Sequence, residues 1–347
     1  MTQTEPNSTD LQNVGMLGPS PFEEREAQFP QFIEQTLLPF WQSKAQAGWF
    51  SNRQHIAIHY VHLDNPNADT AVVVSPGRIE GYLKYQELAY DLFQQGYSVF
   101  ILDHQGQGLS SRRLNNWHKG YVEDFQHYVD DLADFIECYV RPRHSGNLHL
   151  LAHSMGGAIG LRYLQQFPDT FAKASFSSPM WGFRSGRVPE FIAKGLVDLG
   201  HWVSDTVSRE SAYFIGGKDY ETKPFEGNEL THSQARYQYF RDIYNDNPKL
   251  QLGGITFAWL NASIAALEQA YKDLDKVVIP IQVLQAEGET VIDNEAQDRF
   301  CQRLATLGMP CFNGKPFIVA GARHELLFET DVRRSYALRR IFEYFCD

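Results

Sequence analysis

Short apolar segments alternate with helix-like segments along most of this 347-residue chain. Each of these apolar segments is unbroken and bounded by turn residues, which is typical of strands buried on both faces of a sheet. They lie at 71–74, 99–102, 148–151, 174–177, 281–284 and 317–319. Helical periodicity separates many of them, notably over 85–95, 125–140 and 296–307. The pattern predicts an α/β fold with a mainly parallel sheet, helices on both faces and an antiparallel strand over 56–61 at its margin.

The alternation is interrupted at two places. Residues 1–20 are polar and rich in Pro and Gly, which predicts a flexible arm. Between 180 and 276, many aromatic residues are mixed with charged ones, which predicts a mostly helical cap inserted between core segments 21–179 and 277–347. Open α/β sheets bind ligands beyond the carboxyl ends of their strands, where we expect this cap to lie. An ordinary packed helical subdomain is the alternative. Over 29–50, apolar spacing predicts a helix.

One serine stands where a strand-like run ends and a helix-like run begins. Residues 148–157 read LHLLAHSMGG, and a helical pattern follows them. This context predicts a nucleophile elbow, a strained turn that holds the hydroxyl of Ser154 clear of the sheet. Small residues on either side let the strand and the helix approach closely, and Ala152 replaces the first glycine of the G-x-S-x-G pattern by adding one methyl group.

A serine nucleophile needs a base to accept its proton and an acid to orient that base. Behind an elbow of this kind, the acid and then the histidine follow the serine along the chain. Beyond His232 the sequence contains only His324, which comes directly after the last predicted strand. We therefore predict His324 as the base; a histidine on a surface loop is the alternative.

Three carboxylates compete for the role of the acid, which should lie in the loop after the strand at 281–284. Glu289 has the usual offset from that strand and is the preferred candidate. Asp293 is the second candidate and Glu287 the third. Most acidic loop residues are merely solvated, so spacing alone leaves this choice open.

The oxyanion of an acyl-transfer intermediate needs two preorganised N–H donors. The main chain of Met155, directly after the nucleophile, is one candidate, and the main chain of Arg78, beside Gly77 in the loop after 71–74, is the other. The Arg78 side chain then has a separate role, either with a phosphate or, as we favour, in a structural salt bridge. The glycine-rich run 103–110 is interpreted as a turn supporting the floor of the site.

Composition excludes several classes of function. The net charge of −11 opposes non-specific nucleic-acid binding and general adsorption to anionic membranes, while a local basic patch remains compatible with membrane contact. No apolar run reaches 18 residues, and the N-terminus lacks the pattern of a secretory signal. The four cysteines show no metal-ligand spacing, which predicts reduced thiols in a cytoplasmic protein. The oligomeric state has no signal in the sequence.

Taken together, these motifs resemble α/β hydrolases of the monoglyceride-lipase and serine-aminopeptidase-like branch, particularly its bacterial lysophospholipases. The resemblance extends from about residue 30 to the end of the chain. The segments that carry it are 75–80, 84–93, 103–108, 128–132, 152–157, 230–233, 291–294 and 323–329. It implies hydrolysis of the fatty-acyl ester of a lysophospholipid, with acyl transfer as an extension, no metal or organic cofactor, and peripheral contact with the inner face of the plasma membrane. Glu289 stands where this branch usually has Asp.

The beginning of the predicted cap pairs bulky apolar residues with guanidinium groups. We expect Trp181 and Phe183 to admit an acyl chain, and Arg184 and Arg187 to meet an anionic headgroup. An ordinary amphipathic surface of the cap is the alternative.

Other functions share the same catalytic residues. A monoacylglycerol lipase, another carboxylesterase acting on a small ester, or a peptidase would use the same serine, histidine and acid. A non-catalytic binding protein of this fold typically lacks the serine or the histidine, and both stand here. A dehalogenase would need a carboxylate in place of Ser154.

Overall fold

Eight strands form a single sheet in the computed structural model, which describes residues 24–183 and 211–347. The strands are β1 (Gln46–Ser51), β2 (Ala57–Leu63), β3 (Thr70–Ser75), β4 (Ser98–Leu102), β5 (Asn147–His153), β6 (Lys173–Ser177), β7 (Ile281–Ala286) and β8 (Phe317–Val319). Their order is β1-β2-β4-β3-β5-β6-β7-β8. β2 runs antiparallel to β1 and β4, and the remaining pairs are parallel. This arrangement confirms the predicted mainly parallel sheet.

Helices connect the strands and cover the sheet. They are α1 (Phe29–Phe32), α2 (Leu38–Lys44), α3 (Gln86–Gln94), α4 (Gln126–Phe135), α5 (Met155–Gln166), α6 (Gln234–Asp246), α7 (Phe257–Lys272), α8 (Asn294–Thr306) and α9 (Asp331–Cys346). A π-helical turn joins α1 to α2. In the described ranges, no helix has both the length and the apolar character needed to cross a membrane.

The prediction of one helix over 29–50 is wrong at its C-terminal end. The helical segment ends at Lys44, and the next residues form β1, in which Trp49 pairs with His59 of β2. Phe50 packs against Phe135, whereas Trp49 is 63% exposed on the other face of this edge strand. Pairing with β2 supplies the backbone hydrogen bonds of this segment and overrides its helix-like spacing.

The core consists of two apolar layers, one on each face of the sheet. Val73 of β3 belongs to the layer under α4 and α5, whereas Val72 and Val74 belong to the layer under α3 and α9. Alternate residues of a strand point to opposite faces, so a strand covered on both sides must be apolar throughout. This is why unbroken apolar runs in the sequence predicted the central strands.

Helices α6 and α7 lie in the chain between β6 and β7, and α6 is anchored to the core by buried charges. Arg236 of α6 donates to Glu87 of α3 at 2.7 Å and to Asp331 of α9 at 2.6 Å. Removing one partner from a buried pair leaves an uncompensated charge, so this anchor holds α6 in a defined position. The cap over 180–276 stays a prediction, and the arm at 1–20 lies outside the described residues.

Candidate active site

Ser154 occupies the sharp turn between β5 and α5. Its backbone has φ 50° and ψ −117°, a combination that L-residues rarely adopt and that persists only where the surroundings impose it. Behind it, a Cβ atom added to Gly156 would lie 2.0 Å from the main-chain oxygen of Ser75, so only glycine fits there. Ala152, the departure from the usual pattern, is fully buried in β5 and is accommodated without distortion of the strand pairing.

Two loops at the carboxyl ends of β7 and β8 bring a carboxylate and an imidazole to this serine. The Nε2 atom of His324 lies 2.9 Å from the Oγ atom of Ser154. The Nδ1 atom of His324 lies 2.7 Å from the Oε2 atom of Glu289. These contacts form one hydrogen-bonded chain from hydroxyl to imidazole to carboxylate.

The Glu289 carboxylate is held by more than the histidine. Its Oε1 atom accepts hydrogen bonds from the main-chain N–H groups of Val291, at 2.7 Å, and Ile292, at 3.2 Å. Burial raises the pKa of Glu289, but the hydrogen bond and charge of His324, together with these two N–H groups, outweigh burial and lower it below its usual value. An ionised carboxylate accepts the Nδ1–H proton, which leaves the Nε2 lone pair directed at Ser154.

The other two candidate acids have different partners. Asp293 begins α8 as its N-cap, accepting from the main-chain N–H of Glu295 at 3.0 Å, and pairs with Arg299 at 3.1 Å. Glu287 is exposed and accepts from the main-chain N–H of Gly321 at 2.7 Å. Of the three carboxylates, the structure brings Glu289 to His324.

The loop after β3, which carries Arg78, is held from both sides. The Glu80 carboxylate accepts from the main-chain N–H of Gly77 at 2.5 Å. The Gln107 side-chain amide donates to the carbonyl oxygens of Gly77, at 2.7 Å, and Glu80, at 2.9 Å. Gln107 belongs to the glycine-rich run 103–110, so this run braces the loop, in line with the supporting role expected for it. Met155 is the first residue of α5 and is fully buried.

A buried charge cluster beside His324 was missed in the sequence. The Lys84 ammonium contacts Glu80 at 2.8 Å and Glu325 at 2.6 Å, and all three side chains are buried. Burial raises the pKa of Glu80, but the charge of Lys84 outweighs it and lowers this pKa to about 2. A signal existed: Glu80 and Lys84 are spaced i, i+4 next to the predicted oxyanion loop, and buried charges of this kind need partners.

His153 is a second buried imidazole at the site. Its ring centroid lies 5.0 Å from that of His324, and its Nδ1 atom lies 3.0 Å from the carbonyl oxygen of Ser177. Burial lowers the pKa of His153 to about 4, so the ring is neutral at neutral pH. It therefore packs behind the catalytic candidates without adding a charge.

Ser154 and His324 open into a cavity of about 500 Å³. The loop after β3 (residues 77–80), the segment 216–230 and helix α6 contribute its walls. The Arg78 side chain lines the cavity and donates to the carbonyl oxygen of Gly253 at 2.9 Å. The prediction of a salt bridge for Arg78 is wrong as far as the described residues go. Among them, its guanidinium contacts a carbonyl oxygen and no carboxylate.

The cap residues predicted to bind substrate need correction. Trp181 is 3% exposed, donates to the carbonyl oxygen of Gly157 at 3.2 Å and packs between Phe176 and Phe300. Trp181 is a core residue, because its indole ring packs in the same apolar layer as Phe300 of α8. It is absent from the described lining of the cavity.

The remaining cap predictions are not brought to the site. Phe183 is partly buried against Trp259 and is likewise absent from the described lining. Arg184 and Arg187 lie outside the described residues.

Metal ligation has no obvious location in residues 24–183 and 211–347. There, no group of three or more His, Cys, Asp and Glu side chains is placed to hold a metal ion. Among the cysteines, Cys301 and Cys311 are buried, and Cys138 and Cys346 are exposed.

A strained serine backed by histidine and glutamate at the carboxyl edge of such a sheet defines an α/β hydrolase of the serine-hydrolase type. Residues 66–331 match the family described as serine aminopeptidase, S33, and the chain belongs to this family. The resemblance stated from the sequence is thereby confirmed.

Named relatives are similar over nearly the whole chain. Lysophospholipase L2 of Escherichia coli (strain K12) is 40% identical over 324 residues, which cover 93% of this chain and 94% of that protein. The probable lysophospholipase L2 of Haemophilus influenzae is 34% identical over 319 residues, covering 91% of this chain and 97% of that protein.

The fold also has a solved counterpart. A soluble variant of the monoglyceride lipase of Saccharomyces cerevisiae, in complex with a substrate analogue, superposes with a TM-score of 0.66 at 18% identity. The match covers 87% of this chain and 94% of that one, and it confirms the α/β-hydrolase fold.

Proposed function

We propose that this protein is a lysophospholipase that cleaves the fatty-acyl ester of lysophospholipids through an acyl-enzyme. The observation that carries the proposal is the hydrogen-bonded chain from Ser154 through His324 to Glu289, at 2.9 Å and 2.7 Å. This chain supports covalent catalysis at an acyl carbonyl. The substrate class is supported by the similarity to the lysophospholipases L2 of E. coli and H. influenzae.

Acylation is the first half of the proposed reaction. The Oγ atom of Ser154 attacks the ester carbonyl carbon while the Nε2 atom of His324 accepts the hydroxyl proton. The main-chain N–H groups of Arg78 and Met155 donate to the developing oxyanion, each contributing roughly 3–4 kcal/mol. When the tetrahedral intermediate collapses, the bond between the carbonyl carbon and the glycerol oxygen breaks, and His324 returns the proton to that oxygen.

Deacylation reuses the same groups. Water attacks the acyl-enzyme carbonyl as His324 accepts its proton, and the bond to the Ser154 oxygen then breaks with return of that proton to Oγ. Glu289 remains ionised throughout and stabilises the imidazolium. An alcohol that takes the place of water would receive the acyl group, which is the proposed route to acyl transfer.

The nucleophile is tested by Ser154→Ala beside Ser51→Ala, a matched change at an exposed serine of β1. Ser154→Ala should abolish both ester turnover and covalent labelling by a fluorophosphonate, with the melting temperature close to that of the parent. Ser51→Ala should retain both. Labelling of Ser154→Ala at the parental rate would refute the assignment.

The substrate class is tested with a panel that varies one group at a time. Lysophosphatidylethanolamine, the monoacylglycerol with the same acyl chain, and an aminoacyl amide should be compared by kcat/KM. The proposal requires the lysophospholipid to be preferred. Preference for the monoacylglycerol would favour a monoacylglycerol lipase, preference for the amide would favour a peptidase, and turnover of none by a folded protein would favour a binding role.

We also propose that contact with membranes is peripheral. The test is flotation of the full chain with vesicles of phosphatidylethanolamine alone or mixed with phosphatidylglycerol, at low and high salt. Salt-reversible flotation with the mixed vesicles supports the proposal, and absence of flotation under all conditions contradicts it.

A further inference from the structure

Two arginine side chains on the cavity wall have no carboxylate partner among the described residues. The Arg78 guanidinium donates to the carbonyl oxygen of Gly253 at 2.9 Å. Arg241, on α6, is 8% exposed and donates to the hydroxyls of Tyr237 at 3.0 Å and Tyr220 at 3.2 Å, while its Nε–H has no partner. Both arginines line the cavity that contains Ser154 and His324.

The other cations of this lining are paired with carboxylates or exposed. Lys84 is bracketed by two buried carboxylates, as described above. Lys218 pairs with Glu221 at the surface, and Asp219 accepts from the Asn116 amide at 2.8 Å. Lys223 and Glu229 are exposed. Among the described residues of this lining, the two guanidinium groups are therefore the cations that are at least partly buried and lack a carboxylate partner, in a chain whose net charge is −11.

The segments that carry the two guanidinium groups contact one another in the cavity lining. Gly253, whose carbonyl oxygen accepts from Arg78, packs closely against the segment 216–230. A Cβ atom added to Gly253 would lie 2.4 Å from the carbonyl oxygen of Lys218 in that segment. Tyr220 follows two residues later and accepts from Arg241. On the other side, Tyr244 of α6 donates to the carbonyl oxygen of Ile79, next to Arg78, at 2.5 Å.

A buried cation without a counter-ion is costly, and an anionic ligand would remove that cost. Arg78 is half-buried. Burial lowers its pKa to about 10, so the group remains charged at neutral pH with less solvation than an exposed guanidinium has. Planar guanidinium groups donate in pairs to phosphate oxygens, with charge-assisted hydrogen bonds stronger than those to neutral acceptors. The aromatic rings of Tyr237 and Phe240, each 4.8 Å from the Arg241 guanidinium, hold Arg241 without neutralising it.

The dimensions of a lysophospholipid suit this placement. Six bonds separate its ester carbonyl carbon from phosphorus, which corresponds to roughly 7 Å when extended. Five bonds separate the Cα atom of an arginine from its guanidinium carbon, a reach of roughly 6 Å. With the ester at the main chain of Arg78, the phosphate falls within the range of the Arg78 side chain.

We propose that Arg78 and Arg241 form a receptor for the phosphate of the substrate headgroup, so that the same loop binds the oxyanion through its main chain and the phosphate through a side chain. This inference rests on the proposed function, because it assumes that the scissile ester is presented to Ser154. It assigns the preference for lysophospholipid over monoacylglycerol to two guanidinium groups.

The test compares the ratio of two kcat/KM values, for lysophosphatidylethanolamine and for the monoacylglycerol with the same short acyl chain. Both substrates are used below their critical micelle concentrations, so that lipid surface charge plays no part. Arg78→Met and Arg241→Met should each lower the ratio on the order of 10- to 100-fold, and Arg241→Lys should lower it less. Arg53→Met, at an exposed arginine outside the cavity, should leave it unchanged. Because the ratio compares two substrates of the same variant, a loss of kcat/KM that is common to both substrates cancels.

A second readout uses glycerol 3-phosphate as a competitor of monoacylglycerol hydrolysis. It should inhibit the parent protein and lose inhibition at least 10-fold in Arg241→Met; inorganic phosphate, tested in parallel, shows whether the glycerol is required. An unchanged substrate ratio together with unchanged inhibition would overturn the receptor even if lysophospholipid is the preferred substrate. If the parent prefers the monoacylglycerol, the proposed function fails, and inhibition lost in Arg241→Met would still establish an anion site.

Discussion

The most informative single change is Glu289→Gln, because it alters one hydrogen-bond partner of His324 and little else. The glutamine oxygen can still accept from the N–H groups of Val291 and Ile292, as the Oε1 atom of Glu289 does now. Its NH₂ group then takes the position of Oε2, 2.7 Å from the Nδ1 atom of His324. Nδ1 must become the acceptor, which moves the imidazole proton to Nε2.

That tautomer cannot accept the Ser154 proton, since Nε2 would present an N–H to Oγ across the 2.9 Å contact. The equivalent change of acid to amide in a serine protease triad lowers kcat about 10⁴-fold. We expect a loss of the same order here, which corresponds to about 5 kcal/mol of transition-state stabilisation. Folding stability should change little, because the side chain keeps its shape and its contacts with the loop.

The assay is steady-state kcat on a short soluble ester, together with the second-order rate of fluorophosphonate labelling. Both should fall together, because acylation needs His324 as a base. Asp293→Asn is the matched control. Asparagine is an equally good N-cap, and the ion pair lost is with the half-exposed Arg299, so kcat should stay within about threefold of the parent.

The opposite result would refute the reasoning. If Glu289→Gln retained more than a tenth of parental kcat while Asp293→Asn lost several orders of magnitude, Asp293 would be the triad acid. A large loss in both variants with intact melting temperatures would mean that the loop after β7 acts as a unit.

Three further predictions concern stability, measured by urea unfolding. Gly156→Ala should cost about 3 kcal/mol, because the new Cβ would lie 2.0 Å from a main-chain oxygen; parental stability would contradict the close packing of the elbow. Lys84→Met should cost roughly 3–5 kcal/mol at pH 7 and less at pH 5, since it leaves Glu80 and Glu325 buried without their cation and protonation relieves that repulsion; a loss independent of pH would argue against it. Burial raises the pKa of Asp131 to about 7, so the folded state retains a proton that the unfolded chain releases near pH 4, and stability falls as pH rises between these values. Asp131→Asn should therefore gain stability relative to the parent over that interval, reaching a few kcal/mol by pH 7, and a constant difference would contradict the raised pKa.

Burial explains why most of the sheet was predictable. A strand covered on both faces has to be apolar at successive positions, so β3 to β7 each contain one of the predicted runs. The edge strand β8 also contains an apolar run, although Ile318 is 55% exposed. β1, at the opposite edge, was missed because its sequence does not separate a strand from a helix. Its exposed Trp49 and buried Phe50 are adjacent in sequence and fit a helix pattern equally well.

Chain order and local turn chemistry, which are properties of the sequence itself, were enough to nominate Ser154 and His324. The identity of the acid was not determined in this way, because several carboxylates follow β7 and spacing does not say which one turns inward. The path of the loop favours Glu289: two N–H groups of that loop hold its carboxylate toward His324, while Asp293 caps α8.

The sequence by itself determined the fold class, the position of the elbow and the candidate base, since each depends on residues close together in the chain or on their order. Only the tertiary structure decided which charges are matched. It paired Lys84 with Glu325, 241 positions apart, and buried Trp181 in the core. It left Arg78 and Arg241 facing the cavity with no carboxylate partner in residues 24–183 and 211–347. The physical reason is that electrostatic compensation depends on distances in space and on exclusion of water, and neither quantity is set by local sequence.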